Sequence, residues 1–326
     1  MRRLAIWKAI PPEFLAIWPA TLLLFIISPI VAPGSISGSS LLTVLAFASV
    51  LAIASIGQTL VIQQGGLDLA VPGVISLAAV LVTKYPDGSN AQLILWVIVA
   101  LLAGAVAGAV SGIAVTRFRI TPLVSTLAVN ALLYGCVLFT SKASSVRAVP
   151  TDLGNFAIGR IHGIPYLAIV ALVAVVLFEV GLRKSRIGRR FIAIGTNSRA
   201  ARAAGMRVAR YQIATYAVAG TIYAAAGILL AGYLGVPSLF VGGSYLLPTI
   251  AAVVLGGTSL FGGSGSVAAT AVGALFLTQL QQVTLGMGAA ASVQDLIEAA
   301  IIALGMALRL VPWLQIIRSA RAGRPR

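Results

Sequence analysis

The chain is poor in the residues that usually carry chemistry. It has one cysteine, Cys136, inside an apolar run, which excludes an intrachain disulfide and leaves the thiol as a small packing residue. It has one histidine, His162, and nothing beside it in the sequence makes it a metal ligand or a general base. Only 9% of the 326 residues are charged, against about a quarter in a soluble domain, so an ordinary soluble fold is excluded. No Gly-Lys-Ser or Gly-Lys-Thr follows a glycine-rich loop. Lys184-Ser185 is the one Lys-Ser pair, and Arg183 precedes it, so the chain is not an ATPase of the P-loop type.

Apolar runs are what the chain has in abundance. It is 59% hydrophobic with a mean hydropathy of +1.03, and the runs recur along nearly its whole length, which excludes one anchor on a polar body. A bilayer core takes about 20 apolar residues per helix. Backbone groups in lipid have to be satisfied within the segment, and strand-like alternation is absent, so the runs are helices. The expected fold is all-α and polytopic, with spans at 14–32, 41–62, 69–83, 91–115, 122–140, 165–182, 211–234, 245–255, 266–285 and 292–311. The third and eighth are short and glycine-broken. The basic N-terminus resembles a signal peptide, but the run at 14–32 is long enough to span and shows no cleavage pattern, so it reads as a retained first span. Residues 1–13 and 312–326 are then tails, and 14–311 is a single transmembrane domain.

In a soluble chain the net charge of +16 would point to nucleic acid. Here the basic residues gather between and beyond the runs: Arg2, Arg3 and Lys8; Arg117 and Arg119; the acid-free stretch 183–210; and Arg318, Arg321, Arg324 and Arg326. An even number of spans puts all four clusters on one side, which the positive-inside rule makes cytoplasmic, together with both termini. The expected location is the bacterial inner membrane, multi-pass, with membrane lipid and no nucleic acid as partner.

Several features admit two readings each. Gln63-Gln64-Gly65-Gly66-Leu67-Asp68 lets the backbone leave one helix, with Asp68 either capping the next helix or standing at a broken helix near a transport pathway. Gly256, Gly257, Thr258, Gly262 and Gly263 lie in a ten-residue stretch with five glycines, which forbids a continuous helix. Such breaks mark transport sites or simply allow close packing. In the basic loop 183–210, Asn197 or Ser198 can cap a short alanine-rich helix that Gly205 ends, and that helix either lies on anionic lipid or docks a cytoplasmic partner. Gly104, Gly108 and Gly112 make a flat face for close helix packing, within the chain or between chains. Asp295 and Glu298 share a helix face and form a cation or proton site or complement the helix dipole. Gln279, Gln281 and Gln282 can contact a polyol or bond across helices.

Three blocks in order resemble the ribose- and monosaccharide-type ABC-importer permease family. Residues 56–62 with Gly65-Gly66-Leu67-Asp68-Leu69-Ala70-Val71 are similar to its Gly-Gly-Ile-Asp-Leu-Ser-Val-Gly signature. Gly188 to Gly205, with Gly195, Asn197, Arg199 and Arg202, resembles its cytoplasmic loop, and 251–263 resembles its Gly-Gly-Thr-Ser-Leu-Phe-Gly-Gly segment. One departure is Pro72-Gly73 where the family has glycine after the valine; proline is tolerated in a helix's first turn. The resemblance implies a non-enzymatic translocation subunit that works with a cytoplasmic P-loop ATPase, a periplasmic or lipid-anchored solute-binding protein and a second permease chain, in a homodimer or heterodimer. ATP and magnesium belong to the ATPase, and the chain itself needs no cofactor or metal. The loop at 197–205 would be the helix that docks the ATPase. Two other readings stand beside it: an ion-coupled secondary transporter using Asp68 or Asp295 and Glu298, and a permease of the related amino-acid importers.

Overall fold

A computed structural model describes residues 14–303 except 143, 145–147, 289, 291, 295, 298, 301 and 302. Both tails, most of the run 292–311, and Asp295 and Glu298 lie outside the described residues.

The elements in order are α1 (Ile17–Val31), a 3-10 turn (Pro33–Ile36), α2 (Gly38–Gln63), α3 (Val71–Lys84), α4 (Asn90–Thr116), α5 (Pro122–Ser141), α6 (Thr151–Ile158), two-residue strands β1 (Arg160–Ile161) and β2 (Ile164–Pro165), α7 (Tyr166–Lys184), α8 (Arg186–Thr196), α9 (Ser198–Ala203), α10 (Val208–Leu234), a second 3-10 turn (Val241–Tyr245), α11 (Leu246–Leu255) and α12 (Val267–Gly286). The chain is an all-α membrane protein: α2, α4, α5, α7 and α10 are each long and apolar enough to cross a bilayer. Apolar helices α1, α3 and the segment Val241–Leu255 are shorter. Helix α12 has 20 residues, but Gln279, Gln281, Gln282 and several threonines dilute it, and it does not join those five.

Burial sorts the helices. Two-thirds of the most apolar stretch of α2 and of α10 is buried (67% each), whereas α7 is only 11% buried, so α2 and α10 form the centre and α7 the periphery. The glycine face of α4 packs inside the chain, against α10. A Cβ on Gly104 would sit 2.8 Å from Ala224 Cβ, one on Gly112 2.9 Å from Ile213 Cα, and one on Gly108 would collide with the Tyr216 carbonyl. Gly220 on α10 answers in the same seam, so the two backbones touch along just over two turns.

Three expectations need correction. The stretch 141–164, expected as plain loop, holds α6 and a hairpin that turns at His162 (φ 48°) and Gly163 (φ 81°), so the lone histidine is a turn residue. Asn90 at the start of α4 bonds Thr151 Oγ1 (3.0 Å) and the Asp152 amide (3.1 Å), tying α6 to the bundle. Cys136 is exposed on α5 rather than packed inside. The basic loop forms two helices, α8 and α9, not one.

Candidate functional site

The basic loop folds from its own caps. Ser185 accepts a bond from the Gly188 amide (2.8 Å) and starts α8. Asn197 accepts from the amides of Arg199 (3.1 Å) and Ala200 (3.0 Å) and starts α9. At the other end Gly205 takes φ 79°, its amide donates to Arg202 O (3.0 Å), and the Met206 amide donates to Ala201 O (3.0 Å). That is a Schellman closure, and the left-handed residue in it favours glycine. Ala201 packs with Ile194 and Val208 in a small core, while Arg199 and Arg202 are exposed. Gly188 sits where α8 turns back on α7, with its missing side chain facing the Leu182 carbonyl.

The three sequence blocks meet at one point. Helix α2 ends at Gln63, whose carbonyl accepts from the Gly263 amide at 2.8 Å. The Gln64 amide group donates to Phe191 O of α8 at 2.8 Å. A Cβ on Gly262 would lie 2.9 Å from Gly195 O, 3.1 Å from Gln63 O and 3.1 Å from Gly65 N; one on Gly263 would lie 2.7 Å from Thr196 Cα. A Cβ on Gly195 would collide with Gln63 O. Gly65, Gly262 and Gly263 also take positive φ (75°, 89° and 78°), which side chains disfavour. The glycines therefore let the ends of α2 and α8 and the loop 256–265 touch backbone to backbone. Gly256 packs on the start of α12, and buried Thr258 follows Gly257, which is left-handed at φ 90°.

Asp68 sits in the break between α2 and α3 but does not cap α3. It is 1% exposed, and its Oδ1 accepts from the Ala70 amide at 2.9 Å, so it tightens the turn before α3 instead of capping the helix itself. Helix α5 supplies the caps: Thr126 Oγ1 accepts from the Leu69 amide (2.9 Å) and Asn130 Oδ1 from the Gly73 amide (2.8 Å). Pro72 stands in the first turn of α3, where it sacrifices no helical bond. Gly66 packs against the Tyr216 hydroxyl of α10.

Beside this junction sits a carboxylate. Glu179 of α7 pairs with Arg183, accepts from the Ala268 amide (3.1 Å) and lies 3.4 Å from Ser266 Oγ. It thus caps α12 from another helix. Gln63, Gln64, Thr196, Glu179 and Ser266 were not singled out as site residues from sequence. The readable signal was the pair of amides closing an otherwise apolar run at Gln63-Gln64.

At the other end of α2 is a cavity of about 360 Å³, bounded by the opposite ends of α10 and α12 and by the second 3-10 turn. Its polar wall is Thr43, Ser244, Thr278, Gln281 and Gln282; Phe47 and Tyr245 supply aromatic surface, and among the described residues no charged side chain lines it. The glutamine cluster splits: Gln281 and Gln282 face the cavity, whereas Gln279 is buried and donates to Ser28 Oγ of α1 at 3.0 Å. Twenty residues of helix separate Val44 from Gln64, about 30 Å at 1.5 Å per residue, roughly the thickness of a bilayer core. Between the two ends lies a buried polar layer. Tyr223 Oη donates to Gln58 Oε1 (3.0 Å), and Thr59 bonds Thr270 (3.2 Å). Among the described residues no three His, Cys, Asp or Glu side chains gather in one place.

A membrane-spanning bundle with a solute-sized cavity at one end and a capped basic helix pair at the other is the arrangement of a permease component. The comparisons agree. Residues 40–306 match the family described as branched-chain amino acid transport system / permease component, and the chain belongs to that family. It is 33% identical over 291 residues to the ribose import permease protein of Escherichia coli strain K12, covering 88% of this chain and 90% of that one. It is equally similar, 33% over 288 residues, to the ribose import permease protein of Bacillus subtilis strain 168, covering 88% and 89%. The autoinducer 2 import system permease protein of Yersinia enterocolitica serotype O:8 is 33% identical over 236 residues, 71% of each chain. No solved structure matches significantly. The chain is a permease subunit of the ABC-importer class that its three blocks resemble.

Proposed function

We propose that this permease passes a small, uncharged, polyhydroxylated solute of monosaccharide size. The cavity carries that reading. At about 360 Å³ it lies at the small end of ligand sites, which run from about 300 to 1,000 Å³. Its amides and hydroxyls can exchange bonds with sugar hydroxyls, and its aromatic surface suits the apolar faces of a sugar ring. An amino acid would bring an ammonium and a carboxylate into a wall whose described residues carry no charge, and desolvating unpaired charges is costly. Relatives that import ribose support the same choice.

In this reading the chain has ten spans with both termini in the cytoplasm of a bacterial cell and works beside a second permease chain. A binding protein delivers solute to the cavity end. A separate ATPase engages α9 through Arg199 and Arg202, and its closure reaches α2 through the junction at Gly195, Gly262 and Gly263. The test is uptake of labelled ribose by vesicles holding the full importer, with unlabelled competitors added. Neutral pentoses and polyols are expected to compete, and leucine and sugar acids are not. Competition by leucine at similar concentration refutes the reading.

A further inference from the structure

Peripheral helix α7 presents an apolar stripe outward. Leu172, Val173, Val176, Leu177 and Val180 are all exposed, at 43–67%, at the spacing of one helix face. Three residues past the helix end, Ile187 of α8 is 71% exposed although it is flanked by charge. Around it, Arg186, Arg189 and Arg190 line a cleft of about 320 Å³ closed by Met206. Arg189 also donates to Lys184 O at 3.0 Å, which holds its guanidinium at the foot of α7.

Among the described residues this cluster has no acidic partner. No acidic residue occurs between Glu179 and Asp295, and Glu179 is engaged with Arg183 and the start of α12. The three arginines stand in the first turns of α8, where positive charge opposes the helix dipole. They also repel one another. A phosphodiester would reverse both penalties, because guanidinium groups bind phosphate oxygens in a bidentate fork.

We propose that the foot of α7 holds one anionic phospholipid, its phosphate on Arg186, Arg189 and Arg190 and an acyl chain along Leu172 to Val180. The stripe selects lipid over free phosphate: Arg189, held on the Lys184 carbonyl, puts the cationic foot at the end of the helix that carries the apolar face, as a headgroup and tail require. The inference depends on α7 crossing the bilayer, and not on the identity of the solute or the ATPase.

The experiment is native mass spectrometry of the purified chain after exchange into detergent containing equal phosphatidylglycerol and phosphatidylcholine. The expected result is one retained phosphatidylglycerol, and at least tenfold less retention in the R186A/R189A/R190A variant at an unchanged size-exclusion volume. If the triple variant aggregates, R186A and R190A singly are each expected to lower retention several-fold. Unchanged retention in the variants overturns the proposal. So does equal retention of phosphatidylcholine, binding of inorganic phosphate with no lipid retained, or a second copy of the chain covering the face with no lipid present.

Discussion

Alanine at Gly262 tests whether backbone contact at the junction transmits force. Two costs apply. The first is conformational: φ is 89°, and a left-handed backbone costs a side-chain-bearing residue about 1–2 kcal/mol. The second is steric. The new Cβ would face Gly195 O at 2.9 Å and both Gln63 O and Gly65 N at 3.1 Å, where ordinary contact begins at 3.4 Å. Three backbone segments must recede by several tenths of an ångström, and overpacking of this kind costs about 1–3 kcal/mol. The combined penalty of about 2–5 kcal/mol lowers the population of the closed junction by at least about thirtyfold if closed and open forms are balanced. Two controls separate the costs. Gly163 has φ 81° but open space, so G163A carries the conformational cost alone; Gly181 has open space in the last turn of α7 and an ordinary helical backbone, so G181A carries neither. ATP-driven uptake by vesicles of matched protein content is the assay. G181A is expected to match wild type, G163A to lose thermal stability while keeping uptake, and G262A to lose uptake at least tenfold while still present in the membrane. Uptake by G262A within twofold of G181A refutes the reasoning that the close approach couples α8 to α2.

Charge reversal in R199E/R202E leaves the caps of α9 intact, because those use Asn197 and Gly205; the variant is expected to fold, to stay monodisperse and to lose its ATPase on mild-detergent pull-down, and full retention of the ATPase refutes the docking role. Y223F removes the donor to Gln58, whose Nε2 has no partner either, so a buried amide is left with neither bond. A loss of about 1–3 kcal/mol is expected in thermal unfolding, and an unchanged transition refutes the account of the buried layer.

Much of this architecture was readable from local chemistry. Asn197 and Gly205 announce α9 because capping and left-handed closure depend on side chains within a few residues. The glycine-dense stretch 256–265 announces a break for the same reason, and α11 indeed stops at Leu255. What sequence could not supply was meeting. Gly195, Gln63 and Gly263 are far apart in the chain, and only the fold brings the two glycines onto the Gln63 carbonyl. The split of the glutamines has the same origin. Residues 279 and 281 lie on nearly opposite faces of α12, and which face meets α1 and which meets the cavity depends on where its neighbours pack. Helix α8 was missed because arginines hide its apolar face, Phe191 and Ile194, in a window that averages as polar. Cys136 was misplaced because an apolar run in a membrane protein does not tell inside from lipid.

The capped pair α8 and α9 begins with Ser185 and ends with Gly205, and it meets the rest of the molecule through glycine backbone at Gly188 and Gly195 and through a few apolar side chains such as Phe191 and Ile194. Side chains that would choose an ATPase therefore sit on a detachable cassette, about 30 Å of helix away from the side chains that would choose a solute. Selection can act on one without disturbing the other. A single motor could then be shared among permeases that differ only around Gln281 and Gln282, and a permease could be moved to a new motor by exchanging some twenty residues of loop.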